Sequence, residues 1–189
     1  ATTQTAERAY KAGEGSARMD VSMDITQGRL DWLPQETILF DRSSLRRRSR
    51  IRLGAEAECL VLEAVILGRA AMGEEVRDFS LQDRREILRG DRPVLVEPLH
   101  MDAACLDGPA TLDGHRAFAS LALVARGAED ALGPVRAVLN EPGTRGAASG
   151  FDGKLTIRLM ARDGWPLRRQ IARLLAVLRP GPLPRVWQI

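Results

Sequence analysis

With 189 residues, 44% of them hydrophobic and 28% charged, the chain has enough apolar material for one or two cores, which excludes a disordered polypeptide. Aromatic residues make up only 4%, so the core is built from Leu, Val, Ile, Ala and Met and offers few rings for stacking on nucleic-acid bases. The net charge of +3 rests on arginine, since lysine occurs only at Lys11 and Lys154, and guanidinium groups favour planar, bidentate pairing with carboxylates.

Residues 1–126 read as β-rich. Met19, Val21, Met23 and Ile25 alternate with Arg18, Asp20, Ser22 and Asp24, which predicts a half-buried strand. Short apolar stretches follow at Leu30–Leu33 and Thr37–Phe40, and Asp41–Ser44 reads as a turn. From Leu45 to Leu53, Arg46, Arg48, Arg50 and Arg52 fall on one side, with Leu45, Arg47, Ser49, Ile51 and Leu53 on the other. A row of this kind is either the wet face of a strand or a grip for phosphate.

Cys59–Leu67 is almost continuously apolar and predicts a strand buried on both faces, with Cys59 as inert core and Glu63 as the exception that needs a reason. Aligning Glu36 with Glu63 also aligns Trp32 with Cys59 and Ile38–Phe40 with Val65–Leu67, and Val94–Leu99 is a weaker echo. Self-similarity at roughly 27 to 34 residues predicts stacked, solenoid-like or two-layer β-sheets.

Residues 127–189 read as helix, strand, helix. Leu132, Val135, Val138 and Leu139 give Glu129–Leu139 a helical stripe, and Asn140–Gly150 reads as a mobile Gly- and Ala-rich loop. Gly153–Ala161 alternates as a strand. A second helix opens near Pro166 and lines Leu167, Ile171, Leu174, Leu175 and Leu178 on one face, with Arg168, Arg169 and Arg173 off it. The expected fold is therefore a single, mainly β domain over 1–189 with two C-terminal α-helices.

Four segments, in this order, carry a resemblance: Thr2-Thr3-Gln4 with Ala6–Lys11, the uninterrupted Trp32–Phe40, Gly68–Glu74, and Leu183–Trp187. Together they span nearly the whole chain and resemble the urease accessory protein D family, also called H. Two features depart from the family pattern. Arg8-Ala9 stands where the family usually has Lys-Val, and the family's leading strands ahead of the Thr-Thr-Gln segment are absent from this sequence. The resemblance implies a mostly β, non-enzymatic maturation chaperone that joins accessory proteins F and G to apo-urease. Nickel would then be a transient cargo, and GTP would enter only through the partner G.

The residues fit this expectation in part. There is no GxSxG, Walker A, GxGxxG or HExxH motif, so no enzymatic site is expected. His100 with Asp102 and Cys105 is the nearest approach to a metal-ligand group. A passing ion is better served by weakly held carboxylates, because a tight site would not release it. Glu36 and Glu74, in the family-like segments, are the candidates for such a passage, followed by Glu63 and Glu97 at echoing positions. The structural alternative for Glu36 is a pair with Arg69 or with the Arg46–Arg52 row. Arg168, Arg169, Arg173 and Tyr10 are candidate partner contacts. The cysteine pair forms no secreted disulfide framework, no apolar run approaches the roughly 20 residues needed to span a bilayer, and the polar start is no signal peptide, so a cytoplasmic location with no membrane partner is expected. The rival function is a basic β-rich module that binds nucleic acid through Arg46–Arg52; the favoured reading has no nucleic-acid partner.

Overall fold

Strict alternation sorts a strand's side chains between a dry face and a wet one. In the computed structural model, which describes residues 1–188, two sheets stack through their dry faces. The strands are β1 (Glu7–Ala9), β2 (Ala17–Ile25), β3 (Arg29–Trp32), β4 (Thr37–Leu39), β5 (Ser43–Leu53), β6 (Glu58–Leu67), β7 (Phe79–Arg89), β8 (Arg92–Asp102) and β9 (Ala117–Val124). Helix α1 (Leu132–Val138), strands β10 (Thr144–Phe151) and β11 (Lys154–Ala161), and helix α2 (Gly164–Leu178) complete the chain. One sheet has the order β2-β5-β7-β8, and the other β1-β4-β6-β9-β11-β10 with β3 also on β6.

From β2 to β7 the chain alternates between the sheets, and its neighbours within each sheet are parallel: β2 with β5, β5 with β7, and β3 and β4 with β6. This is the solenoid-like, two-layer winding that the spaced self-similarity predicts. The register, however, places Thr37 beside Val65 and Trp32 beside Val61, out of step with the alignment of Glu36 on Glu63. A shift of one residue moves a side chain to the other face of a sheet. Thr37 accordingly faces the second sheet, where its Oγ1 accepts from Arg47 at 3.1 Å, while Glu36 faces α2.

β6 is apolar on both sides because both are covered. Leu60, Leu62 and Ala64 pack beneath α2 with Leu167, Ile171 and Leu174, whereas Cys59, Val61, Val65 and Leu67 point into the inter-sheet layer. Each fully buried aliphatic side chain contributes about 1.5–3 kcal/mol before entropy is charged against it. Asp163 caps α2 by accepting from the Trp165 N–H at 2.8 Å, and the helix ends before Pro180.

Two elements differ from the sequence reading. The stretch expected to be a mobile loop, Asn140–Gly150, contains most of β10, paired along its length with β11. Its small residues reflect crowding: a Cβ on Gly146 would lie 2.6 Å from Leu159 and 3.0 Å from Leu139. β9, which the sequence pattern leaves unassigned, is a central strand between β6 and β11.

Candidate functional site: a charged seam between the sheets

The inter-sheet layer is not continuously apolar. One cluster holds Ile51, Leu53, Cys59, Val61, Ile87 and Val124, and another holds Leu39, Leu45, Val65, Leu67, Phe79 and Leu81. Inward positions of β5, β6, β7 and β8 carry charge between them. Arg47 lies in register with Asp83, Ser49 with Arg85, Arg85 with Glu97, and Glu63 with Ser120.

Arg47, 5% exposed, is the first hub. Its Nη1 lies 2.7 Å from Glu63 Oε2, its Nη2 is 2.5 Å from Asp83 Oδ2, and its Nε donates to Asp83 Oδ1 at 3.1 Å. Ser49 Oγ donates to Glu63 Oε1 at 3.4 Å. Arg85, 3% exposed, is the second hub: it forks onto Glu97 and donates to Ser120 Oγ at 2.7 Å. Ser120 Oγ in turn donates to Glu97, and Arg158 reaches Glu97 at 3.3 Å from a side chain that is 76% exposed.

Burial pushes the Arg47 guanidinium down, but the carboxylates of Glu63 and Asp83 outweigh it and hold the group above its ordinary value. The opposite balance holds at Glu63, whose carboxyl burial raises more strongly than Arg47, shared with Asp83, can lower. Glu97 is also desolvated, yet Arg85 and Arg158 bring it below the usual range. The seam thus holds three carboxylates with two buried guanidinium groups, and a third, Arg158, reaches Glu97 from the surface. A cleft of about 620 Å³ runs along these residues and past Pro98, Met101, Cys105 and Phe118.

The sequence candidates are not gathered in one place. Glu63 lies in the seam. Glu36 lies on the other face of its sheet, 3.5 Å from Arg168, and its partner is neither Arg69 nor the Arg46–Arg52 row. Glu74 lies on the connection after β6, paired with Arg69 at 2.8 Å and accepting from the Asp41 N–H at 3.4 Å. His100 is on β8 opposite Gln82, and the Asp102 carboxylate caps a short turn through the Ala104 N–H. Among the described residues no group of three or more His, Cys, Asp or Glu is arranged to hold a metal ion.

Arg168 donates to Gln35 Oε1 at 2.9 Å and to the Val186 carbonyl, and lies over the Trp187 ring. Arg169 and Arg173 both pair with the buried Glu141, at 3.2 and 3.3 Å. Tyr10 is exposed and stacks on Phe40 at 4.8 Å, and Arg69 lies over that same ring. Glu97, the further candidate at an echoing position, also lies in the seam, whereas Arg47, Asp83 and Arg85 are not among the sequence candidates. The available signal was Arg47 itself, a charge on the side of β5 otherwise lined by Leu45, Ser49, Ile51 and Leu53.

The segments that carry the resemblance meet in space. Thr2 Oγ1 and Trp187 Nε1 both donate to the Leu33 carbonyl, at 2.7 and 3.0 Å, and the Gln35 N–H donates to Thr3 Oγ1 at 2.8 Å. The family model described as UreD urease accessory protein matches residues 1–188. The chain belongs to the UreD urease accessory protein family. A UreD from Cereibacter sphaeroides (strain ATCC 17025) is 62% identical over 192 residues, covering 100% of this chain and 70% of that protein. A UreD from Paracoccus denitrificans is 53% identical over 193 residues, with 100% and 69% covered. A UreD from Rhizobium leguminosarum bv. viciae is 44% identical over 193 residues, with 100% and 70% covered. As a UreD-family member the chain is an accessory protein and not an enzyme. Among the described residues no helix is long and apolar enough to cross a membrane.

Proposed function

We propose that this UreD-family chain is a cytoplasmic maturation chaperone that holds accessory proteins F and G on apo-urease and lets nickel pass along the inter-sheet seam. The observation that carries the reading is the clustering of three carboxylates, Glu63, Asp83 and Glu97, in a layer that packing alone would fill with aliphatic side chains. Replacing a buried ion cluster by well-packed hydrophobic residues is often neutral or stabilising, so stability does not explain the seam. Nickel accepts carboxylate and water as ligands, and hydrated carboxylates without a closed ligand set suit entry and release. Glu63, Asp83 and Glu97 are the residues assigned to the passage. In this reading Glu36 and Glu74 are ion-paired struts, while the exposed Tyr10 and the half-exposed Arg169 and Arg173 meet partner proteins. GTP acts only through accessory protein G.

The reading is tested by co-expressing the urease operon with Glu63→Gln, Glu63→Asp and Glu36→Gln variants and measuring urease activity. Activity should fall with Glu63→Gln, recover in part with Glu63→Asp and stay near normal with Glu36→Gln, with the maturation complex assembled throughout. Full activity with Glu63→Gln would reject the passage, and loss of the complex in that variant would reject a role separate from assembly.

A further inference from the structure

The wet face of the four-stranded sheet concentrates the chain's charge. On its outward positions stand six arginines, Arg18, Arg46, Arg48, Arg50, Arg52 and Arg84, against four carboxylates, Asp20, Asp24, Glu86 and, at the end of β8, Asp102. That surplus of two is most of the chain's net charge of +3. The basic character is therefore focused on one face, where charge acts on a partner most effectively.

The arrangement works against the fold locally. Arg18 sits directly beside Arg46, and Arg48 beside Arg84, and like charges opposite one another in a sheet are destabilising. Glu86 offsets part of this by accepting from Arg48, Arg50 and Arg84 at 3.1, 2.8 and 2.7 Å. One carboxylate cannot neutralise three guanidinium groups. Arg18 and Arg52 pair with Asp20 and Asp24, but among the described residues Arg46 has no carboxylate partner within 4 Å. Arg46, Arg48 and Arg84 border a shallow basin of about 730 Å³.

We infer that this face docks an acidic polypeptide segment in extended conformation, with Asp or Glu at alternate positions. The spacing selects the conformation: side chains two residues apart on a strand recur every ~6.6 Å, so an extended partner repeats its carboxylates in step with Arg46, Arg48 and Arg50. Guanidinium forks match carboxylates in a bidentate manner. The outward positions carry no Trp, Tyr or Phe on which bases would stack, while the 41%-exposed Val96 and Pro98 on β8 add the apolar margin usual at a protein interface. The inference rests on the scaffold reading only in expecting a protein partner; it is independent of the nickel passage.

The test uses the intact chain and a labelled peptide of alternating Asp and Ser, 11 residues long like β5, followed by fluorescence anisotropy at low and physiological salt. The expected result is binding that weakens with salt, a loss of about tenfold in Arg46→Glu, and a change below about twofold in Arg126→Glu, which makes the same charge change away from this face. Arg46→Ser, with a smaller loss, separates loss of a contact from repulsion. Absence of binding at low salt, equal losses in Arg46→Glu and Arg126→Glu, or tighter retention of a DNA duplex than of the peptide would each overturn the inference. None of these readouts depends on urease activation, so this proposal and the passage fail separately.

Discussion

Arg47→Met removes the hub of the seam while keeping a long side chain of similar reach. In the wild type the guanidinium makes contacts at 2.7 Å to Glu63, 2.5 and 3.1 Å to Asp83, and 3.1 Å to Thr37, all inside the protein. The variant strands two carboxylates in the inter-sheet layer, and breaking a buried pair from one side costs about 3–5 kcal/mol. That is a large share of a domain's typical stability of roughly 5–15 kcal/mol. Burial already raises Glu63, and the loss of Arg47 removes the main charge opposing that rise. A carboxyl whose folded value lies above its unfolded one destabilises the fold once the pH is above the folded value, and ceases to do so below the unfolded value. The deficit of the variant should therefore be larger at pH 7 than at pH 5 and fade as the pH falls toward the ordinary carboxyl range near 4.5. Urea unfolding at the two pH values, read as midpoint and slope, measures this. A companion variant, Arg47→Met with Glu63→Gln and Asp83→Asn, should recover most of the loss. A deficit below about 1 kcal/mol at pH 7, or one unchanged by pH, would refute the reasoning.

Other consequences are equally direct. Trp187→Ala should cost about 3–5 kcal/mol and increase proteolytic nicking of the tail, because the indole is 1% exposed and donates to the Leu33 carbonyl. A thiol reagent at pH 7.5 should label the partly exposed Cys105 in native protein and reach Cys59 only after unfolding, since burial pushes the Cys59 thiol up to about 12. Hydrogen bonds from Arg84 and Arg50 lead in holding Glu86 at about 2, a depressed value. Its stabilisation is thus complete above the ordinary carboxyl range near 4.5 and is lost as pH falls through about 2, so the stability gap between wild type and Glu86→Gln should close over that interval.

Much of the fold was legible because alternation reports dry and wet faces directly. The strand at 17–25, the Arg46–Arg52 row on the wet side of β5 and the doubly buried β6 follow from that signal. Stacked, two-layer winding showed in the repeated spacing, but the parallel pairing of β5 with β2 and β7 and the register did not: a similarity shifted by a residue set Glu36 with Glu63, whereas hydrogen bonding puts Thr37 beside Val65. Composition misled at 144–151, where Gly and Ala signal a loop in isolation but here relieve crowding against Leu139 and Leu159. The seam was only partly visible because its members come from four strands. Glu63 stood out against its apolar run, whereas Asp83 and Arg85 lie in a polar stretch whose inward face only the sheet pairing defines.

The central claim is that the seam carboxylates carry nickel and do not merely brace the sheets. The most direct measurement is the nickel content of urease purified after co-expression with wild-type chain or with Glu63→Gln, with complex assembly verified by size-exclusion chromatography. The account predicts an intact complex and urease whose nickel per active site is reduced several-fold. Urease fully loaded with nickel by the Glu63→Gln chain would contradict it.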